Sequence, residues 1–235
     1  MSNRSKLISW LRNHIPAGHL SYSQEGEDRV LARLLGELSG RNSAPGFFVD
    51  IGAHHPARFS NTYYFYRRGW RGINVDALPG TAKLFRRMRP RDITIECGVA
   101  AQPGLMKYFV FNEPALNTFS EQEASKKNQP PYHIVDTLEI PVVTLAQILD
   151  QHLPAGVSID FMTIDVEGLD HEVIASNDWQ RYRRRIVLVE LLNTELENLA
   201  THPTAILLHQ HGYRALAKTL NTCFFVSNEA LSRSS

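Results

Sequence analysis

The 235-residue sequence predicts an α/β fold, a mostly parallel sheet that ends in one antiparallel strand and carries a helical extension before it. Two observations carry this reading. From Phe47 to Cys97, buried-strand runs and helical segments alternate with short connections, the order that βαβ units produce. Near the other end, two strand patterns are separated only by Asn221-Thr222, a spacing that requires an antiparallel hairpin. The length suits one such domain, and 43% hydrophobic with 21% charged residues is a globular composition.

In chain order, Lys6 to His14 can form a short amphipathic helix that stops near Pro16. Glu25 to Leu38 is a stronger one, because Val30, Leu31, Leu34, Leu35 and Leu38 recur at helical spacing. The turn-rich stretch Gly40 to Gly46 closes an extension over residues 1–45, and residues 46–235 form the main domain. Phe47 to Ile51 reads as a buried strand ending at Gly52. Ser60-Asn61-Thr62 can cap a helix through Arg68, with Gly69 as its stop. Gly72 to Asp76 is the second strand, Pro79 to Met88 a helix, and Ile93 to Cys97 the third strand. Met106 to Phe111 reads as an inserted strand. Glu121 to His133, polar and holding Pro130-Pro131, reads as a mobile loop of the lid type. Thr144 caps a helix through Leu149. Phe161 to Ile164 and Ile186 to Val189 are strands ending at Asp165 and Glu190. Pro203 to His211 is helical, and strands follow around Ala215 to Leu220 and Cys223 to Ser227.

Charge and cysteine content exclude several classes of function. Twenty-five basic against 24 acidic residues leave a net charge of +1, so no global field points to nucleic acid or an acidic membrane. Arg183-Arg184-Arg185 reads as a solvated helix end. The two cysteines, Cys97 and Cys223, form no Cys-x-x-Cys, which argues against a zinc site or a disulfide framework. No apolar run approaches the roughly 18 residues of a membrane span, and the start lacks a signal-peptide core. The expectation is a cytoplasmic protein.

In open α/β sheets ligands sit beyond the carboxyl ends of the strands. The polar residues there are Asp50 with Gly52, Asp76, Asp165 with Glu167, and Glu190. Gly52 is followed by Ala53, His54, His55 and Pro56 rather than by further glycines, which is poor for a pyrophosphate and better for a ligand with a cationic amino group. Asp76 at the end of the second strand can accept from both hydroxyls of a ribose. Ribose without diphosphate, beside an amino-acid group, describes S-adenosylmethionine.

With these residues placed, the stretch from Ser21 to about Asn193 resembles the FkbM family of S-adenosylmethionine-dependent methyltransferases. The marks are Ser21-Tyr22-Ser23-Gln24-Glu25-Gly26-Glu27-Asp28, Val49-Asp50-Ile51-Gly52-Ala53-His54-His55-Pro56, Ser60-Asn61-Thr62, Gly69-Trp70-Arg71-Gly72-Ile73-Asn74-Val75-Asp76 and Ile164-Asp165-Val166-Glu167-Gly168. The resemblance implies a class I methyltransferase (Rossmann-like) fold with a seven-stranded sheet, and methyl transfer to a hydroxyl oxygen of a sugar or natural product, as in surface-polysaccharide or secondary-metabolite biosynthesis. Pro56 stands where many methyltransferases place glycine, and Asp76 replaces the commoner glutamate. Carried over by position, Asp50, Gly52 and Ala53 line the methionine part of the cofactor, Asp76 holds the ribose, and Val99 and Ala100 lie near the adenine. Asn61 and Asp165 complete the cofactor set. Asp165 and Glu167 also face the methyl group and the acceptor.

An alcohol is weakly acidic, so a base or a metal ion helps. Asp165, Glu167, His54 and His55 are the candidates, with His171 less central. A divalent metal is conceivable on Asp165, Glu167, Asp170, His171 and Glu190, although no fixed ligand spacing supports it. Asn112, Glu113 and Asn117 are candidates for binding a small-molecule or glycan acceptor. The N-terminal helices offer a homo-oligomer interface. Competing readings are an NAD-type oxidoreductase, disfavoured by the missing glycines, and a non-catalytic cofactor-binding module.

Overall fold

The computed structural model describes residues 19–39 and 44–232, so the helix expected over Lys6 to His14 lies outside the described residues. The chain runs α1 (Glu27–Ser39), β1 (Phe47–Ile51), α2 (Tyr63–Tyr66), β2 (Arg71–Asp76), α3 (Thr81–Met88), β3 (Ile93–Glu96), β4 (Gly98–Val99), β5 (Gly104–Phe111), α4 (Glu121–Lys127), β6 (Ile134–Val143), α5 (Leu145–His152), β7 (Phe161–Ile164), α6 (Asp170–Ala175), β8 (Ile186–Glu190), α7 (Pro203–Gln210), β9 (Tyr213–Lys218), β10 (Thr222–Ser227) and α8 (Asn228–Ser232). Seven strands form one sheet in the order β3-β2-β1-β7-β8-β10-β9. Five pair in parallel, and β10 runs antiparallel to both β8 and β9, so β10 alone opposes the other six.

Both faces of the sheet's centre are covered, which is why β1, β7 and β8 read as largely apolar runs. Val49, Ile51, Ile73 and Val75 pack with Leu145, Ile148, Val173 and Leu208 of α5, α6 and α7. The intervening residues Phe48, Phe161, Leu188 and Phe224 pack with Leu31 and Leu35 of α1 and Phe65 of α2. The order reverses at β1, whose neighbours are β2 and β7, so a crevice opens beyond the carboxyl ends of these strands.

A second sheet, β4-β6-β5, stands over that crevice. It accounts for the largest departures from the sequence reading. The inserted strand begins two residues earlier, at Gly104, and pairs with β6, a ten-residue strand that sequence reasoning passed over. Leu138, Ile140 and Val142 carried its period-two signal, masked by Pro141. The expected mobile loop from Glu121 to His133 is instead opened by a helix, α4. Ser120 Oγ accepts from Glu123 N at 3.2 Å, with Glu121 and Glu123 in the first turn and Lys126 and Lys127 in the last. The helix expected from the Ser60 cap to Arg68 is a single turn, Tyr63–Tyr66, with Ser60 Oγ bonded to Tyr63 N at 3.1 Å. No helix among the described residues is long and apolar enough to cross a membrane.

Candidate active site

The turn after β1 forms the floor of the crevice. Gly52 N and Ala53 N both donate to Val75 O, at 2.9 and 3.0 Å. Gly52 takes φ +81°, and a Cβ there would lie 1.7 Å from the carbonyl oxygen of Asp165. Glycine is therefore required for both backbone conformation and close approach. His54 follows at φ +50° and donates its backbone N–H to Asp76 Oδ2 at 2.7 Å. The other oxygen, Asp76 Oδ1, accepts from Leu78 N at 2.9 Å and Thr81 Oγ1 at 3.3 Å. Burial raises the pKa of Asp76, opposed by these three donors.

The walls come from separate segments. Gly52, His54, Asp76, Val99 and Asp165 line the crevice as their positions in sequence suggested, joined by Glu167 and Asn117. Cys97 and Gly98 add to one side, and Tyr108, Pro114, Ala115 and Phe119 descend from the second sheet. The enclosed space is about 740 Å³ with its open mouth included. Asn117 Oδ1 accepts from Phe111 N at 2.8 Å. Its Nδ2 is buried with no partner among the described residues. The glycine cradle, the Asp76 carboxylate and this vacant donor fit a bound ligand with amino-acid and ribose groups.

Other residues from the sequence reading lie elsewhere. Asp50 faces the α1 side of the sheet and is absent from the lining; its Oδ2 accepts from Thr62 Oγ1 at 2.7 Å, and Thr62 in turn accepts from Arg89 Nη1 at 2.9 Å. Arg89 also reaches Pro56 O at 3.3 Å and Asp92 at 2.7 Å. Asp50 thus anchors the first loop from behind, and burial lifts its pKa to about 6. Ala53 and Ala100 are buried outside the lining. His55 Nδ1 is engaged by Ala57 N and Arg58 N, at 3.0 and 2.9 Å, so it shapes the loop. Glu113 is held by both arms of Arg58 at 2.9 Å, a clasp between the first loop and the second sheet. Asn112 bonds His133 N and Pro131 O within its own hairpin. His171 sits on α6, 3.5 Å from Thr204 Oγ1. Asn61 bonds Thr163 Oγ1 at 3.0 Å and lines a polar side pocket with Gln24, Glu25, Asn221, Asp165 and Glu190.

Three carboxylates meet where the crevice and side pocket join. Asp165, Glu167 and Glu190 each offer an oxygen within 4.8 Å of the others, so they could also hold a cation. Strand β7 ends at Ile164, so strand alternation does not align Asp165 with Glu167. A turn does the work instead, with Glu167 at φ +57° and Gly168 at φ +110°. Asp170 supports it by accepting from Val166 N and Gly168 N, both at 3.2 Å. Thr118 Oγ1 donates to Glu167 O at 2.7 Å. Burial and the neighbouring Glu190 and Glu167 charges push the Asp165 pKa well up, and burial takes Glu190 to about 8. Glu167 differs, because Lys127 of α4 forms an ion pair with it. Burial still outweighs the ammonium and holds Glu167 above the usual glutamate range. Sequence reasoning missed Lys127, Gln24, Phe59 and Tyr108. Gln24 lay inside the quoted Ser21 to Asp28 motif, whereas Lys127 had no signal beyond its place at a helix end.

Among curated proteins none matches this chain significantly. Solved structures show the fold. The METTL16 MTase domain superposes with a TM-score of 0.50 at 13% identity, over 95% of this chain and 78% of that one. WbdD, solved as a monomer, gives 0.48 at 12% identity over 94% of this chain, which spans about half (48%) of WbdD. The 1,6-didemethyltoxoflavin-N1-methyltransferase of Burkholderia thailandensis, solved with S-adenosylhomocysteine, gives 0.41 at 15% identity over 95% and 84%. At 13% identity the likeness to the METTL16 domain is one of fold. The methyltransferase FkbM domain family matches residues 50–215, a span that holds the first loop, Asp76, the second sheet and the carboxylate cluster. This chain therefore belongs to the FkbM family of S-adenosylmethionine-dependent methyltransferases.

Proposed function

We propose that the protein methylates a hydroxyl oxygen of a sugar or hydroxylated natural product. The observation that carries this reading is the carboxylate cluster, in which Glu167 is paired with Lys127 beside the buried Asp165 and Glu190. Bound S-adenosylmethionine supplies a methyl group already activated on a sulfonium. The chain must therefore align an acceptor and receive its proton. Gly52, His54, Asp76, Val99 and Asn117 are the residues assigned to the cofactor. Glu167 is the base, because Lys127 favours its ionised form. Asp165 and Glu190, both held toward the protonated form by burial, orient the acceptor. The polar side pocket of Gln24, Glu25, Asn61 and Asn221 offers both donors and acceptors for further hydroxyls. It replaces Asn112 and Glu113 as the acceptor surface, since those two are engaged within the fold. The trio is assigned to proton chemistry rather than to a metal because Lys127 offsets Glu167 and burial holds Asp165 and Glu190 toward their neutral forms.

The test is a screen of nucleotide sugars and polyhydroxylated natural products with S-adenosylmethionine, read as S-adenosylhomocysteine formed and as the mass and linkage of the product. An O-methylated product whose formation is lost in Glu167→Gln supports the reading. Methylation confined to amines in a matching amine panel would overturn it.

A further inference from the structure

Phe59 stands where the two cavities of the site meet. Gln24, Phe59 and Asp165 line both the cofactor crevice and the polar side pocket. In the side pocket Phe59 is the single apolar side chain among the described lining residues, and every other one carries a polar group. Its backbone has φ +56°, in the left-handed region that a bulky aromatic residue disfavours. Strain of this kind persists where the surroundings fix the chain, and it gathers at ligand sites. Just after Phe59, Ser60 N donates to Tyr22 O at 3.0 Å. Just before it, the Ala57 and Arg58 N–H groups both turn onto His55 Nδ1.

The ring is held but not buried. The Arg58 guanidinium, itself gripped by Glu113, lies 4.3 Å from the ring centroid. The His54 ring follows at 6.4 Å, 21° from parallel. With these neighbours in place Phe59 remains 42% exposed, so solvent or a ligand reaches it. A core role would have hidden the ring, and a turn with no task for a side chain would be served by glycine at this φ. A pyranose presents two kinds of surface. Hydroxyls round its edge need polar partners, and patches of C–H on its faces pack on an aromatic face. The junction offers both. The side pocket is small, about 280 Å³ with its mouth included, so it takes the hydroxyl-bearing edge of one ring and not a chain of rings.

We propose that Phe59 is a specificity-determining residue, the platform on which a pyranose ring of the acceptor lies, with the ring's hydroxyl edge in the side pocket and one hydroxyl carried to the junction beside Asp165. This rests on the side pocket being the acceptor surface. Saturation-transfer NMR tests it with the methyl α-glycosides of glucose, galactose and mannose as probes. Wild type, Phe59→Tyr, Phe59→Leu and Phe59→Gly are compared, each saturated with S-adenosylhomocysteine. The expected result is transfer to the ring C–H protons of at least one probe in wild type and in Phe59→Tyr. Affinity for that probe should fall about three- to tenfold in Phe59→Leu, which keeps apolar bulk at the same backbone φ and loses the flat face. Phe59→Gly relaxes the backbone and should bind the probe no better than the leucine variant, so it decides the matter should Phe59→Leu fail to fold. Affinity for S-adenosylhomocysteine should change less than probe affinity in every variant. Absence of transfer to any probe in wild type, equal probe affinity in wild type and Phe59→Leu, or an equal loss of S-adenosylhomocysteine binding would overturn the proposal. Methylation confined to amines would instead remove the O-methylation reading, and the two failures are told apart because probe binding needs no turnover.

Discussion

Glu167 shows how much one side chain's surroundings decide. Its backbone lies in the left-handed region, its carbonyl is held by Thr118, and its carboxylate meets Lys127. As the base it must be ionised, so activity should fall as acid protonates it, with the limb above the ordinary glutamate value because burial raises its pKa. Lys127→Met removes a cation that favours the carboxylate. It should move that limb to higher pH, and Lys127→Arg should move it back; a pH–rate profile on the acceptor found by the screen checks both. Glu167→Gln should lose roughly a hundredfold to ten-thousandfold in kcat while S-adenosylhomocysteine affinity persists. Asp76→Ala should weaken S-adenosylhomocysteine binding by about 1.5–3 kcal/mol in calorimetry, the worth of a charge-assisted hydrogen bond. Asp76, Asp165 and Glu167 were legible because each stands at or just past a strand end. Lys127 was not, because nothing local ties it to a partner 40 residues away.

Elements were legible where their pattern was undisturbed. The runs of β1, β7 and β8 are largely apolar on both faces, β2 keeps Ile73 and Val75 on one face, and the α1 stripe keeps helical spacing. Helix α4 was lost because Pro130-Pro131 and high polarity made the whole segment read as a loop. The overlooked signal was Ser120-Glu121-Gln122-Glu123, a serine followed three residues later by glutamate, which marks a helix start. The cap now supports a prediction. Ser120→Ala should cost α4 about 0.5–2 kcal/mol. Hydrogen exchange across residues 121–127 should quicken, and kcat should drop as Lys127 loses its fixed position. Unchanged exchange there would mean that packing, not the cap, holds the helix. Strand β6 was hidden for another reason: only part of its length is covered, and Pro141 reads as a strand breaker.

At the scale of the molecule, buried acids tie stability to pH. Burial holds Asp50 at about 6 and Asp170 at about 7, both above the 3.8 of an unburied aspartate. The folded protein therefore keeps protons that the unfolded chain releases. Stability from these groups is complete below about 3.8 and is lost as pH rises through about 6 and about 7. Asp170→Asn should flatten the fall in unfolding free energy across that window by roughly 1–3 kcal/mol, whatever its absolute stability. Denaturant titrations at a series of pH values measure the slope, and equal slopes would remove Asp170 as a contributor. The mostly parallel sheet and the terminal hairpin were legible from chain order and loop length, and the strand order was not. The standing of the second sheet over the crevice was not, because that placement depends on pairings such as Gly98 with Val142 across 44 positions.

Those pairings have a consequence for how such an enzyme diversifies. Gly104 lies directly opposite Val142, so the segment between them leaves and rejoins the chain at nearly one point. It can be exchanged as a cassette without re-routing the main sheet. It carries Tyr108, Asn117 and Phe119 into the crevice and Lys127 to the base, while Gly52, Asp76 and Asp165 stay behind on the scaffold. Grafting the corresponding segment of another family member between these two positions should shift S-adenosylhomocysteine affinity through the residue at position 117 and the acid limb of activity through the one at 127, and leave the acceptor pocket of Gln24, Glu25, Asn61 and Asn221 in place.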